Sequence, residues 1–525
     1  MRLTDNALTA AREVVVDEAA AASVPEVSYG IVSDGQLAAG QGTDRIYRIA
    51  SMTKSFTAAA VLGICRGLIP VIGRRPSLDD LLADWLPALS AGEWAAEMTI
   101  RDALTMSTGL PTDDPWADRL ESMPISQMQR LMQGEALANF PAGAGYEYAN
   151  YGYAMLGAFV EAATGHAFTE VVHLHLLAPL GLTSTGFDVR QLDVDRLVTG
   201  YRRTSDGELE AQPISLPGAF SAIGGLASTV DDVAVWVAAL IDAVTSTEPG
   251  DACRALGRTE AEARAWRRVL ADLQQTQRPI SIQHGDEHAV SIGYGYGLRC
   301  SFDTRYGHMA GHSGGYPGFG LHMRWHAATG AGVIVLANLT YFPAEAVATR
   351  ALNTALAIQR DHEPDSHLWP AAQPVPLTPA QKASGSAAPD TQPVSIPVTP
   401  ITSFTASELA RTRQLQAETM IATGDDAEAE RIFSSNMDLD MPRAERLTAW
   451  QRIRDHVGTP VADGTTAEVE WLTALSARWE VWAEGGPGTA HGRRVEMMLN
   501  PAGEIQKLTV TALPQPQKLT RAGGN

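Results

Sequence analysis

Cysteine is scarce in this chain. Its 525 residues include three, Cys65, Cys253 and Cys300. An odd number at wide spacing excludes a disulfide framework and a cysteine-built zinc site. Buried free thiols in a reducing compartment are the expectation. Lysine is nearly as scarce. The chain has four, Lys54, Lys382, Lys507 and Lys518, so any lysine-dependent chemistry in the first two thirds rests on Lys54. Positive charge as a whole is short: 40 Lys and Arg against 60 Asp and Glu leave a formal charge of −20. Such a balance gives no electrostatic reason to hold nucleic acid or anionic lipid, so neither is expected as a partner. Apolar runs long enough to cross a bilayer are missing. The first residues, MRLTDNALTAAREVVVDEAA, carry acids and no apolar centre, which reads as a helix and not as a secretory signal. A cytoplasmic protein is expected.

What remains is a globular composition, 45% hydrophobic and 19% charged. The length calls for two to four domains, or one large domain with an appendage. Between Pro364 and Pro400 prolines recur among Ala, Ser, Thr and Gln. Prolines at that density block helices and central strands, so an extended linker is predicted at 366–401. It divides a large unit, 1–365, from a small one, 402–515, with a tail at 516–525.

The large unit opens with a helix near 5–22, then a hairpin of Val27–Val32 and Gln36–Ala39 turning at Asp34-Gly35. Strand-like Arg45–Ile49 leads into a helical pattern from Met52 to about Gly67. Residues 78–245 read as mostly helical. Strand-like runs return at Tyr296–Phe302, Gly320–Trp325 and Gly332–Ala337, before a helix near 343–359. This pattern predicts an α+β domain whose antiparallel sheet is built from both ends of the unit. Pocket walls are expected from loops at about 111–140 and 245–290, and the charged stretch Thr245–Gln283 reads as a lid or an interface. The small unit reads as helices first (Ala406–Ala422, Asp425–Phe433, Pro442–His456) and strands last (Val469–Leu472, Ala477–Ala483, Arg493–Asn500, Ile505–Thr511). Trp471, Trp479 and Trp482 are more readily core residues than pocket lining.

Three short patterns carry chemistry. Ser51-Met52-Thr53-Lys54 stands at a strand-to-helix junction. Residues i and i+3 share a helix face, so the Lys54 amine can reach the Ser51 hydroxyl. A buried lysine can lose its proton near neutral pH and act as a base. Alone, this spacing is also that of a capping serine and a surface lysine. Tyr148-Ala149-Asn150 follows the turn Pro141–Gly145. A tyrosine beside an ammonium can serve as general base, although Tyr146, Tyr151 and Tyr153 make an aromatic core patch the ordinary alternative. Gly311-His312-Ser313-Gly314-Gly315 offers small residues and backbone N–H groups to an oxyanion. It also fits the G-x-S-x-G elbow, with Ser313 as nucleophile, but Pro317 opposes the helix an elbow requires. His173 and His175, two apart on a predicted helix, point in different directions and make no metal pair. Neither metal nor organic cofactor is expected.

Together these motifs resemble the penicillin-recognising serine hydrolases, specifically the class C β-lactamase-like branch. The likeness covers most of residues 25–360. Its carriers are Arg48–Lys54, Thr99–Leu110, Tyr148–Tyr153, Pro179–Leu182, Gly224–Thr229 and His312-Ser313-Gly314. It implies a β-lactamase-like α+β catalytic domain with a helical subdomain. It implies an acyl-enzyme on Ser51, proton transfer shared by Lys54 and Tyr148, and an oxyanion hole from the Ser51 and Gly315 N–H groups. Asn150, His312, Ser313 and Gly314 would orient the substrate. Where β-lactamases of this branch have lysine, His312 looks more like the esterase and D-aminopeptidase members. An esterase or transesterase on small or medium acyl esters is therefore expected. The alternatives are a D-amino-acid peptidase or amidase, and a catalytically inactive binding protein on the same fold. The small unit resembles, less specifically, nuclear-transport-factor-like α+β cones. Such a module would pair two copies of the chain as a homodimer or cover the active site.

Overall fold

The computed structural model describes residues 2–363 except 92, 113–119, 135, 205 and 286–287. It also describes 368–369, and 407–513 except 435–436, 438–440, 458–468, 483–491 and 501. The expected linker and tail lie outside the described residues, apart from Leu368 and Trp369.

The large unit is organised on one eight-stranded antiparallel sheet. Its first elements are helix α1 (Asp5–Ala21) and strands β1 (Val27–Ser33) and β2 (Gln36–Gln41). Then come α2 (Thr53–Cys65), α3 (Asn150–Thr164) and α4 (Val230–Thr245). Strands β3 (Arg278–His284), β4 (Ala289–Tyr294), β5 (Arg299–Asp303), β6 (Gly307–Tyr316), β7 (Phe319–His326) and β8 (Ala331–Ala337) follow, and α5 (Ala344–His362) closes the unit. The spatial order is β2-β1-β8-β7-β6-β5-β4-β3. The N-terminal hairpin thus joins the later strands through β1 on β8, with Tyr29 opposite Val335.

Strand alternation explains why both faces are covered. Val333 and Val335 sit in a core with Ala7, Ala11 and Val15 of α1 and Val347, Ala351 and Leu352 of α5. Ile334 and Leu336 join the larger core on the other face with α2 and α4. Each aliphatic side chain fully buried there contributes about 1.5–3 kcal/mol. Helix α2 is buried along its length from Thr53 to Ile64, as its composition TKSFTAAAVLGIC requires. Helix α4 is capped by Thr229, whose hydroxyl accepts from Asp232 N, and ends the stretch read as helical.

One expectation needs correction. Thr245–Gln283 is not a lid. It forms the helices Asp251–Leu256 and Glu260–Leu273 and part of β3. Trp266, Val269, Leu270 and Leu273 are buried in the larger core, so the charges mark only the outer helix face. The glycine-rich segment Gly311–Gly315 precedes β7 and itself lies inside β6, paired with β7 on one side and, through Gly311, with β5 on the other.

The small unit has helices α6 (Glu408–Thr423), α7 (Asp426–Ile432) and α8 (Arg443–Val457), followed by strands β9 (Glu470–Thr473), β10 (Ser476–Trp482), β11 (Gly492–Leu499) and β12 (Ile505–Leu513). The strands pair in chain order. Trp479 is core, and its indole donates to Glu418 of α6 at 2.8 Å. The three cysteines are free thiols. No helix among the described residues is long and apolar enough to cross a membrane.

Candidate active site

Ser51 lies in the single 3-10 turn Ala50–Met52 that feeds α2. Ala50 is in the left-handed region, at φ 49°, a conformation that costs an L-residue energy and that the surroundings must enforce. They do so from two sides. Ile49 N donates to Leu226 O at 2.9 Å, and Leu226 N donates to the Thr53 hydroxyl at 3.1 Å. On the other side, a Cβ at Gly314 would stand 2.4 Å from Ile49 O, so only glycine lets β6 approach this closely.

Lys54, fully buried on α2, points its Nζ at the Ser51 Oγ, 2.8 Å away, and donates to Ile223 O at 2.7 Å. The same nitrogen stands 5.1 Å from the Tyr148 ring centroid and 5.7 Å from that of Tyr153. The serine hydroxyl, the amine and the phenol ring of Tyr148 therefore form one cluster. Tyr148 precedes α3, and Asn150 begins it, buried.

This cluster opens on a cavity of about 470 Å³ lined by Ser51, Tyr148, His312, Ser313 and Gly315. Asn150 and Gly314 do not line it: Asn150 is buried in the helix start and Gly314 packs on Ile49. The lining also includes Thr112, on a loop expected to form a wall, Tyr146, which reads as core in the sequence, and Glu147, the neighbour of Tyr148. Tyr294, Arg299 and, from the small unit, Thr473, Ser476 and Met498 have no local pattern that marks them, because each reaches the cavity through long-range pairing. Of the loops expected to form walls, 111–140 contributes Thr112 and 245–290 contributes nothing among the described residues.

The electrostatics are set by burial. His312 is pushed down to about 3, first by burial and then by the Lys54 charge, so its ring is neutral at pH 7. Its Nδ1 lies 2.6 Å from Ser313 O, a carbonyl that only accepts, so Nδ1 carries the proton. Nε2 then accepts from the Tyr294 hydroxyl at 3.1 Å. Burial raises the Tyr294 phenol well above its ordinary value, which keeps it a donor. Glu147 is likewise raised by burial, against the lowering effect of bonds from Thr112 N (2.8 Å) and Asn139 Nδ2 (2.5 Å).

Ser313 has its own partners. Its hydroxyl donates to Glu345 Oε2 at 2.9 Å and lies 2.9 Å from His322 Nδ1. The carboxylate touches the serine and not the imidazole, which is not the order of a Ser-His-acid relay. A strand, a Pro317-Gly318 turn and another strand follow, where an elbow needs a helix. Among the described residues, no group of three or more His, Cys, Asp or Glu is placed to hold a metal ion.

Comparison with known proteins agrees with this architecture. The family model described as Beta-lactamase matches residues 11–357. Protein flp of Staphylococcus aureus (strain COL) is 23% identical over 301 residues, 56% of this chain and 53% of that protein. Penicillin-binding protein 4* of Bacillus subtilis (strain 168) is 23% identical over 293 residues, 54% of this chain and 58% of that one. The chain spans little more than half the length of these curated relatives. Among solved structures, the octameric penicillin-binding protein homologue from Pyrococcus abyssi superposes with a TM-score of 0.55 at 18% identity, covering 97% of this chain and all of that one. At that identity the likeness is one of fold.

Proposed function

This chain belongs to the beta-lactamase family, and from that premise we propose that it is a serine hydrolase that forms an acyl-enzyme on Ser51 and acts as a carboxylesterase, or transesterase, on small or medium acyl esters. The observation that carries this reading is the 2.8 Å contact of Lys54 Nζ with Ser51 Oγ at the base of the cavity, beside Tyr148. Ser51 Oγ attacks the ester carbonyl, and its proton passes into the Lys54–Tyr148 pair. The pair returns a proton to the departing alcohol. Water, or a second alcohol, then attacks the acyl-enzyme and restores Ser51. The two groups act as one titrating unit. The N–H groups of Ser51 and Gly315 take the oxyanion.

Neutral His312 supports esters over anionic β-lactams, since the third motif brings no charge to the cavity. Ser51, Lys54, Tyr148 and His312 are all present, which weighs against an inactive binding protein. One observation favours a second reading, a peptidase or amidase on D-amino-acid substrates. The Arg299 guanidinium lines the cavity, one strand from the glycine-rich motif, and would meet a substrate carboxylate. Glu345 neutralises it in part, at 3.5 Å. The test is intact-mass labelling with a fluorophosphonate, alongside turnover of p-nitrophenyl esters and of D-alanyl peptides. Label on Ser51 with ester turnover supports the first reading, and peptide turnover without ester turnover supports the second. No label and no turnover would leave a binding protein.

A further inference from the structure

The small unit contributes part of the cavity wall. Thr473, Ser476 and Met498 line the same cavity as Ser51 and Tyr148. They cluster at one end of the β9–β12 sheet. Thr473 and Ser476 flank the β9–β10 turn with their hydroxyl oxygens 2.6 Å apart, and Ser476 pairs with Met498 across β10 and β11. The turn is fixed from inside its own unit. Leu475 is buried in the core, its N–H donates to the Thr473 hydroxyl at 3.2 Å, and its carbonyl accepts from Leu499 N at 3.0 Å.

A polar seam beside the cavity holds the two units together. Gln506 Nε2 donates to Leu499 O at 3.2 Å within the small unit, and to Thr112 O in the large one. Thr112 in turn donates its N–H and hydroxyl to Glu147 Oε1, at 2.8 and 3.3 Å. Glu147 is the neighbour of Tyr148. Leu137 of the large unit packs against the small unit's core. The contact therefore ends on the residues that position the cluster around Ser51.

The chemistry of this wall is distinct. Arg299 brings charge to the cavity from the large unit, whereas the small unit brings two hydroxyls and a thioether, and no charge. A methionine adapts to apolar groups of varied shape and fills the space it is given. We propose that the small unit is a working part of the substrate pocket. Thr473, Ser476 and Met498 form a subsite for the uncharged arm of the substrate, and Met498 limits that arm's length. This rests on the Ser51 hydrolase reading and names the specificity of that same site.

The test uses the full chain as wild type, Met498→Ala and Met498→Trp. Two substrate series are compared: p-nitrophenyl acetate to octanoate, which lengthens the acyl arm, and ethyl to octyl acetate, which lengthens the other arm. In one series, Met498→Trp should lower the long-to-short ratio of kcat/KM by at least about tenfold, and Met498→Ala should raise it. Ratios within about twofold of wild type, for both variants in both series, overturn the proposal. A second measurement needs no turnover. Ser476→Cys and the exposed control Thr412→Cys are treated with iodoacetamide and with a polyethylene-glycol maleimide, and modification is read by peptide mass. A cavity position admits iodoacetamide but reacts with the bulky reagent at least about tenfold more slowly than the control. Equal bulky-reagent rates at the two positions would mean that the small unit does not wall the cavity. Should wild type turn over no ester and Ser51 take no phosphonate, the hydrolase reading fails, while the cysteine rates still decide the wall.

Discussion

Two serines of the large unit line one cavity, and their surroundings differ. Ser51 stands at the entry to α2 with the Lys54 amine 2.8 Å from its oxygen. Ser313 stands in the middle of β6 between a carboxylate and an imidazole. Glu345 as a carboxylate can only accept, so it holds the Ser313 proton. His322 must then donate to Ser313 from Nδ1, and its buried Nε2 has no partner among the described residues. An imidazole that donates to a serine cannot take that serine's proton. The carboxylate and the donating imidazole hold the Ser313 proton in place, which supports the proposed reading of Ser51 as the nucleophile and leaves Ser313 a buttress.

The most severe challenge to this contrast is removal of each hydroxyl. Ser51→Ala should abolish phosphonate labelling and lower ester kcat by about 10⁴-fold or more. Ser313→Ala should keep the label and lose at most about tenfold, as expected for a group that touches the cavity without forming a covalent bond. The opposite pattern would overturn the assignment. Next in size is Lys54→Met, which keeps the length and apolar stem but removes the proton carrier. A loss of about 10²–10⁴-fold in kcat, with the phosphonate label slowed in parallel, is expected. A Lys54→Met enzyme with unaltered kcat would leave Tyr148 as the only proton acceptor.

The Ser51–Lys54 pair was legible because it is local. A spacing of three at the start of a helix brings the two side chains to one face. The N-terminal hairpin, α2, β8 and α5 were legible for the same reason, through period and turn chemistry. The pairing of Tyr148 and His312 with Ser51 came from the family likeness, since nothing within either segment points to the other. Strands β3 and β4 were invisible. As outer strands they carry His, Gln and Ser at exposed positions and lack the unbroken apolar run of β8. Tyr294, Arg299 and Met498 were illegible because their place depends on strands and a second unit meeting across long stretches of chain.

Arg299 sharpens the comparison from the substrate's side. Its guanidinium shares Glu345 with Ser313, at 3.5 Å. If the Ser313 cluster receives a carboxylate, the preference for a peptide with a free carboxylate over the same peptide capped as an amide should drop about 10- to 100-fold in Arg299→Ala. Kinetics on the two peptides read this directly. An unchanged preference would remove the main support for the peptidase reading and leave the ester reading alone.

The smallest effect concerns stability, and it again separates the two serines. His322 contacts Ser313 and is held well below its ordinary value by burial, then by the charges of Arg324 and Arg299. The unfolded chain, with an ordinary imidazole value near 6.5, binds a proton there that the folded chain refuses. Stability supported by this neutral ring is complete above the unfolded value and declines as pH falls below it. Each such histidine contributes a slope of up to about 1.4 kcal/mol per pH unit. His312, pushed down to about 3, acts in the same sense. Glu121, raised by burial to about 7, acts in the opposite one, favouring the fold as pH falls toward the ordinary carboxylate value. The net slope is therefore not diagnostic, but a difference between variants is. His322→Gln can still donate to Ser313 and does not titrate. Urea unfolding between pH 6 and pH 5 should show a slope flatter by up to about 1.4 kcal/mol per unit in this variant, while Ser51→Ala keeps the wild-type slope. Equal slopes in all three proteins would mean that His322 takes up its proton in the folded state. It could not then be the fixed donor that sets Ser313 apart from Ser51.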